Sequence, residues 1–208
     1  MTRCHVDDRG RFIVFEGGEG CGKSTQSKML AARLDAIWTR EPGDTPLGRR
    51  IRDLLLDRTT VAAPRTEALL MAADRAQHVV DVIEPALAVG RHVVCDRFVG
   101  SSVAYQGYGR GLDPDEVAGL STWGTDGCRP DLVVLLEVPA TVSSERLGAD
   151  LDRFESAGDE FHERVRAGFV AQAEQDRSAW VRIDGVGSVD EVAARVWASV
   201  EGRLGLQP

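Results

Sequence analysis

The amino-acid sequence predicts an α/β fold in which a parallel β-sheet is covered by helices on both faces. Short apolar runs alternate along the chain with longer segments of helical periodicity, which is the order expected of strands and helices around a parallel sheet. The runs are continuously apolar, as strands buried on both faces require. A glycine-rich loop separates the first run from the first helical segment.

Five apolar runs predict the strands of this sheet. They cover residues 12–15, 36–39, 92–95, 132–136 and 180–183, of which the second and the last are the weaker. Each run is only four or five residues long, which is short enough for a strand rather than a buried helix.

Three helical segments are recognisable between and after the strands. Residues 24–34 follow the glycine-rich loop. A second helix is expected to begin at Pro64, because proline is favoured in a first turn, and Pro85 is expected to kink it, end it or start another. Ser188 and Glu191 form a capping box ahead of a C-terminal apolar stripe. The second helix is predicted from residues at helical spacing: Leu69, Ala73, Ala76, Val80, Ile83 and Leu87.

The composition indicates one globular domain and excludes several classes of function. The chain has 208 residues, and 25 basic against 33 acidic side chains give a formal net charge of −8. A chain this acidic, without a basic stripe, is not expected to bind a polynucleotide. No apolar window is long enough to span a membrane, and the polar first ten residues do not resemble a signal peptide, so we expect a cytoplasmic protein.

Four cysteines lie far apart without a CxxC pair, which predicts neither a zinc site nor a disulfide framework.

The domain organisation follows from the absence of linkers and repeats. We predict a polar N-terminal extension over residues 1–10 and a single domain over residues 11–208. A charged segment at about residues 147–158 interrupts the apolar periodicity of that domain.

The glycine-rich loop fits GxxxxGK[ST] and follows a strand directly, which predicts a site for a nucleoside triphosphate. Glycines let backbone N–H groups converge on phosphates, and the helix N-terminus adds partial positive charge. Lys23 is expected to reach the β- and γ-phosphates and Ser24 to hold Mg²⁺. The predicted triphosphate-binding residues are Gly17, Gly18, Glu19, Gly20, Cys21, Gly22, Lys23, Ser24 and Thr25.

Asp96 and Arg97 directly follow the third predicted strand. Ligands of parallel sheets bind beyond the carboxyl ends of the strands, so both side chains are expected to face the crevice that holds the phosphate loop. A surface ion pair, or orientation of Arg97 by Asp96, is the alternative.

A series of motifs resembles those of thymidylate kinases, in the same order along the chain. The most specific is Asp-Arg-Phe followed by Ser-Ser-Val-Ala-Tyr-Gln at residues 96–106, which other P-loop kinases lack. The resemblance covers about residues 12–184. The other matching segments are residues 15–17, 25–26, 39–43, 73–75, 130–132 and 152–155 and the phosphate loop.

This resemblance implies a P-loop fold of the nucleoside monophosphate kinase type, with a five-stranded parallel sheet, a short lid at about residues 147–158 and a homodimeric assembly. It also implies phosphoryl transfer from ATP to dTMP with Mg²⁺, giving ADP and dTDP. The acceptor phosphate has a second pKa near 6 and is mostly ionised at neutral pH, so no general base is required. Catalysis must then come from positioning and positive charge.

The resemblance assigns the catalytic roles to four side chains. Lys23 covers the donor phosphates, Arg97 holds the acceptor phosphate, and Glu19 positions the acceptor near its 3′-hydroxyl. The phosphate loop contains no arginine, so the third cation is expected from the lid, as in the bacterial type, with Arg153 first and Arg146 second. Ser24 and Asp96 are the expected Mg²⁺ residues.

The acceptor nucleoside is expected to meet residues of three other motifs. Met71 stands where the family has a phenylalanine stacked on thymine, and a thioether packs against an aromatic face less rigidly. Met71 as core filler is the alternative. Glu137 stands where many relatives have aspartate. The residues expected to bind dTMP are Arg40, Pro42, Met71, Arg75, Arg97, Ser102, Tyr105 and Gln106.

Two other functions remain open from the residues alone. Another P-loop kinase of nucleosides or small metabolites would share the loop and the lid, but not the motif at residues 96–106. A nucleotide-gated regulatory module would need a base-recognition motif such as NKxD or a water-positioning glutamine, and the sequence shows neither.

Overall fold

The structure is a computed structural model that describes residues 9–146 and 153–207. Most of the N-terminal extension predicted for residues 1–10 therefore lies outside the described residues. The same holds for residues 147–152 of the predicted lid.

Five parallel strands form a single sheet, in the order β2-β3-β1-β4-β5. The five predicted runs are confirmed, and each strand ends one residue later than its run. The strands are β1 (Phe12–Glu16), β2 (Ile37–Arg40), β3 (Val93–Asp96), β4 (Leu132–Glu137) and β5 (Trp180–Asp184).

Helices cover both faces of the sheet. Two segments of π-helix, Val79–Ile83 and Val103–Gly109, extend α3 and α5 respectively. The helices are α1 (Lys23–Arg33), α2 (Pro46–Leu56), α3 (Pro64–His78), α4 (Glu84–Ala88), α5 (Val99–Ser102), α6 (Pro114–Gly124), α7 (Ala140–Arg146), α8 (Asp159–Gln175) and α9 (Val189–Leu204).

The core has one apolar layer on each face of the sheet. Ile13 and Phe15 of β1 pack toward the face covered by α1 and α9. Phe12 and Val14 pack toward the opposite face, against Ile83 and its neighbours. Because β1 is fully buried and central, its carboxyl end is held firmly where the phosphate loop begins.

The predicted start and caps of the helices agree with the structure in most respects. Pro64 begins α3, and Pro85 lies in the first turn of α4, so that proline starts a new helix after the π-helical segment. The capping box of Ser188 and Glu191 is confirmed at the start of α9.

The apolar stripe that predicts α3 does not face the core along its whole length. Leu69 and Val80 are more than half exposed, whereas Glu67, Asp74 and Arg75 are buried. The inward face of α3 is polar because it lies against the crevice at the carboxyl edge of the sheet. Among the described residues, no helix has the length and apolarity that crossing a membrane requires.

Candidate active site

The phosphate loop leads from β1 into α1, and its backbone geometry requires glycine at positions 17 and 22. Gly17 has a φ of +143°, and a Cβ there would lie 2.4 Å from the carbonyl oxygen of Leu136. Gly22 caps α1 in a left-handed conformation, with a φ of +98°. Lys23 folds back so that its Nζ donates to the carbonyl oxygen of Gly18 at 2.6 Å. The loop is therefore shaped as a cradle of backbone N–H groups at a helix N-terminus.

Asp96 reaches the phosphate loop from the end of β3. Its Oδ2 accepts a hydrogen bond of 2.5 Å from Ser24 Oγ, and its Oδ1 has no hydrogen-bond partner among the described residues although it is buried. A carboxylate oxygen without a partner beside a hydroxyl fits the oxygen ligands that Mg²⁺ prefers. These two residues therefore suit a magnesium ion.

Arg97 projects into the crevice from a strained turn. Its φ is +76°, a left-handed conformation that is costly for a residue other than glycine and is held by the structure around it. Its Nη1 donates to the carbonyl oxygen of Gly17 and to Ser101 Oγ, at 3.2 and 3.1 Å. Its Nη2 donates to Glu19 Oε1 at 2.6 Å. Side chains and backbone from the phosphate loop and from α5 thus converge on one guanidinium.

The ion pair between Glu19 and Arg97 determines the charge state of both. Burial opposes ionisation of Glu19, but Arg97 and Lys23 outweigh it and lower the pKa of the carboxyl to about 2. Burial alone would lower the pKa of Arg97, whereas Glu19 and neighbouring acids raise it well above its ordinary value. Tyr105 donates its hydroxyl to Glu19 Oε1 at 2.7 Å. Glu19 and Arg97 at the floor of the crevice are therefore both ionised and held in place.

A buried network holds Arg75 at the other end of the crevice. Its Nε donates to Glu41 Oε2 at 2.7 Å, and Glu41 Oε1 lies 2.8 Å from His78 Nδ1. The Nη atoms of Arg75 donate to Ser121, to Ser102 and to the carbonyl oxygen of Phe98. Arg75 is 2% exposed, so its orientation is set by these partners and not by solvent.

Gln106 and Met71 lie near Arg75. Gln106 Nε2 donates to the buried carboxylate of Glu67 at 2.9 Å, which leaves its Oε1 without a partner among the described residues. Met71 is half-buried and packs against the core cluster that contains Tyr105. Both side chains line the same cavity as Arg75.

One cavity of about 470 Å³ joins the phosphate loop to Arg75. Most of the predicted site residues line it, whereas Gly17, Gly18, Cys21 and Arg153 do not. The predicted residues in its lining are Glu19, Gly20, Gly22, Lys23, Ser24, Thr25, Arg40, Pro42, Met71, Arg75, Asp96, Arg97, Ser102, Tyr105 and Gln106.

Arg146, which precedes the predicted lid, and Arg153, which lies within it, occupy different places. Arg153 turns away from the phosphate loop: its Nε donates to the carbonyl oxygen of Leu55 at 2.7 Å, and its Nη2 lies 2.8 Å from Glu67 Oε2. Arg146 lies at the loop, with Nη1 3.5 Å from the carbonyl oxygen of Gly20. In this arrangement buried Glu67 holds Arg153 away from the phosphate loop, and the expected role of Arg153 as the lid cation stays a prediction.

Several residues of the site were not predicted. Glu41 and Ser101 line the cavity, and both stand inside motifs recognised in the sequence. Neighbouring residues in the same two motifs were predicted as site residues. Membership of those motifs was therefore the sequence signal that could have identified Glu41 and Ser101. Glu137 is engaged elsewhere, in a two-point ion pair with Arg182 on β5.

Glu16 lies directly beneath the site and is fully buried. Its Oε1 accepts from the backbone N–H groups of Phe98 and Ser101, at 3.0 and 2.9 Å, and its Oε2 accepts from Ser101 Oγ at 2.6 Å. Burial raises the pKa of Glu16 to about 7, although the hydrogen bonds from Ser101 and the charge of Arg97 oppose that rise.

Comparison with known proteins gives consistent matches. The family model described as "Thymidylate kinase" matches residues 15–196. The chain is 46% identical to a thymidylate kinase of Geotalea uraniireducens, covering 94% of this chain and 98% of that one. It is 50% identical to one of Synechococcus sp. (strain JA-2-3B'a(2-13)), covering 94% and 96%. A crystal structure of thymidylate kinase from Ehrlichia chaffeensis superposes with a TM-score of 0.78 at 31% identity, covering 92% of this chain and 99% of that one.

The pKa of Glu16 predicts how stability depends on pH. The folded chain binds a proton on Glu16 up to about pH 7, whereas the unfolded chain releases it near pH 4.5. The wild type should therefore lose stability as the pH rises from about 4.5 to about 7, and Glu16→Gln should lack this loss. We expect the Tm of the variant minus that of the wild type to increase by roughly 5–10 °C between pH 5 and pH 8.

Thermal denaturation followed by circular dichroism across that range measures the difference. Glu174→Gln, which removes an exposed carboxylate, controls for the loss of one negative charge. A difference between wild type and Glu16→Gln that is constant from pH 5 to pH 8 would contradict the raised pKa.

Proposed function

The chain belongs to the thymidylate kinase family and transfers a phosphoryl group from ATP to dTMP, and we propose that Lys23, Arg97 and one further arginine carry the reaction. The observation that supports these roles most strongly is the continuous cavity that joins the phosphate loop to Arg97 and Arg75. A donor phosphate chain on the loop and an acceptor phosphate on Arg97 would meet within that cavity.

Catalysis on this proposal is positioning and charge neutralisation. The acceptor phosphate is already ionised at neutral pH, so the main obstacle is repulsion between two polyanions. Lys23 would leave the carbonyl oxygen of Gly18 for the donor phosphates. Arg97 would share its guanidinium between Glu19 and the acceptor phosphate, and its strained turn keeps it in place without reorganisation.

Recognition of thymine would fall to Arg75 and Gln106. Thymine presents a carbonyl acceptor and an N–H donor on one edge. Four of the five N–H groups of Arg75 have partners among the described residues, and Gln106 has an unpartnered amide oxygen. One donor and one acceptor are thus left for the base. Met71 would pack on its face, with Ser102, Arg40 and Pro42 bounding the nucleoside.

The sugar would lie between the two ends of the cavity. Glu19 would accept from the 3′-hydroxyl, since its pKa of about 2 keeps it ionised at any physiological pH. Tyr105, held against Glu19 and Arg97, would crowd a ribose 2′-hydroxyl. Together they favour a deoxyribonucleotide acceptor.

Ser24 and Asp96 would hold Mg²⁺ at the phosphate loop. The free Oδ1 of buried Asp96 supports this assignment. A bound magnesium ion would neutralise charge on the donor phosphates. The protein's own contribution there is to hold two oxygen ligands within hydrogen-bond distance of each other.

For the third cation the geometry favours Arg146 over Arg153. Arg146 lines the cavity and lies against the phosphate loop, whereas Arg153 is committed to Glu67 and to α2. The segment at about residues 147–158 begins directly after Arg146 and contains Arg153, and we propose that it acts as a lid of the single domain at residues 11–208. Its closure over both substrates would exclude water from the reacting phosphates.

A homodimer is the proposed assembly. Large apolar side chains are exposed on α2, α3 and α6, namely Leu54, Leu69 and Trp123, the last 83% exposed. Exposed apolar surface of this kind is typical of a protein interface. Pairing of two copies through these helices would leave the crevice at the carboxyl edge of the sheet open to nucleotides.

The activity can be tested by the choice of acceptor. With Mg·ATP, we expect ADP release in a coupled assay to be fastest with dTMP among dTMP, dUMP, AMP, CMP and shikimate. The same assay distinguishes the other P-loop kinases and a regulatory module. Turnover with AMP but none with dTMP would point to another kinase, and slow hydrolysis indifferent to the acceptor would point to a regulatory module.

The two lid arginines should respond differently to substitution. Arg146→Ala should lower kcat by roughly 100-fold or more, because it removes a cation from the transferring phosphoryl group. Arg153→Ala should lower the Tm, since Glu67 loses a buried partner. It should lower kcat less than tenfold, which corresponds to an increase of less than about 1.4 kcal/mol in the activation free energy.

Steady-state kinetics and thermal denaturation on both variants provide the measurement, with exposed Arg129→Ala as the control. An unchanged kcat in Arg146→Ala, together with a collapse of kcat in Arg153→Ala, would return the catalytic role to Arg153.

The assembly is tested by sedimentation equilibrium. A mass of twice 22.6 kDa is expected. Trp123→Glu should shift it toward the monomer, because a charge would replace the most exposed large apolar side chain of α6. A monomeric wild type at micromolar concentration would refute the dimer.

A further inference from the structure

The buried carboxylate of Glu16 has no part in the mechanism described above, yet it touches the turn that carries Arg97. It lies at the end of β1 and accepts three hydrogen bonds, all from the segment that follows Arg97. Two come from the backbone N–H groups of Phe98 and Ser101. The third comes from the hydroxyl of Ser101. A single side chain thus fixes both the path of this backbone and the orientation of Ser101.

Ser101 connects the carboxylate to the guanidinium. Its hydroxyl donates to Glu16 Oε2 at 2.6 Å and accepts from Arg97 Nη1 at 3.1 Å. Because the proton of a hydroxyl can point in only one direction, the bond to Glu16 aims a lone pair at Arg97. The orientation of the guanidinium therefore depends on a carboxylate that does not touch it.

The backbone of Gly100 passes close to this carboxylate. A Cβ on Gly100 would lie 2.9 Å from Glu16 Oε1 and 2.8 Å from the ring of Trp180. Only glycine at that position lets the backbone come close enough for both amide hydrogen bonds. The glycine at position 100 thus makes room for the Glu16 carboxylate.

Energetics also indicate a role other than stability. Burial raises the pKa of Glu16 to about 7, so its ionised form costs free energy in the folded chain. The titratable groups that face it are the guanidinium of Arg97 and the thiol of Cys95, whose own pKa burial raises well above its usual value. A residue that is costly when ionised, yet satisfies three donors, is suited to positioning.

We propose that Glu16 is a positioning residue for the acceptor phosphate, acting on Arg97 through Ser101. The inference rests on the proposed role of Arg97 and adds to it the carboxylate that orients the guanidinium. Loss of Glu16 should weaken binding of the phosphate group of dTMP while leaving the binding of its nucleoside part unchanged.

The experiment compares dTMP with thymidine, which lacks the phosphate, by isothermal titration calorimetry at pH 8, where Glu16 is mostly ionised. Glu16→Gln keeps an acceptor for the two amide groups but loses the charged acceptor for Ser101. Ser101→Ala keeps all of Glu16 and removes only the link. Arg97→Ala provides the reference for complete loss of the phosphate contact, and Glu174→Gln is the control.

We expect Glu16→Gln and Ser101→Ala each to bind dTMP about tenfold more weakly, the effect of losing one charge-assisted orientation, while thymidine affinity changes less than about twofold. Arg97→Ala should show a larger selective loss. Equal weakening of dTMP and thymidine, or no weakening of either, would overturn the inference.

The controls separate the possible failures. If Arg97→Ala does not discriminate dTMP from thymidine, the proposed role of Arg97 fails, and the role of Glu16 fails with it. If Arg97→Ala discriminates and Glu16→Gln does not, only the positioning role is refuted. Should Glu16→Gln fail to fold, Ser101→Ala alone decides between the same outcomes.

Discussion

The guanidinium of Arg97 is the group on which the rest of the site depends. It is reached from the phosphate loop by Gly17 and Glu19, from α5 by Ser101 and from the π-helical segment by Tyr105. The phosphate loop is far in sequence from α5 and the π-helical segment that continues it, and they meet because the parallel sheet brings the carboxyl ends of β1 and β3 together. The parallel sheet therefore places the positive charge of Arg97 next to the phosphate loop at one edge.

That local charge explains how an acidic chain can bind anions. A net charge of −8 describes the surface as a whole, where acidic side chains outnumber basic ones. Within the crevice, Lys23, Arg75 and Arg97 are held by carbonyl oxygens and buried carboxylates that orient them. A mononucleotide needs only these few oriented cations, whereas a polynucleotide would need a continuous basic surface. A negative net charge of the whole chain is thus compatible with binding of a negatively charged mononucleotide.

Sequence reasoning recovered the parts of the molecule whose determinants are local. All five strands were predicted because strands buried on both faces are continuously apolar, and the phosphate loop because its glycines are required by backbone geometry at Gly17 and Gly22. The direction of Arg153 was not predictable in the same way. It depends on the burial of Glu67 in α3, eighty-six positions away, and a charge in a polar segment carries no local sign of its partner.

The inward face of α3 is a second feature that the sequence alone did not predict. Helical periodicity indicated the helix, but not which face would be buried, because the face that lines the crevice is polar. There, burial of charge is tolerated because Arg75, Glu41 and His78 satisfy one another. A buried charge that loses its partner is strongly destabilising, so each member of such a network constrains the others. The polar interior of this protein thus contributes rigidity at the site, while the two apolar layers that flank the sheet supply the stability that makes the buried charge tolerable.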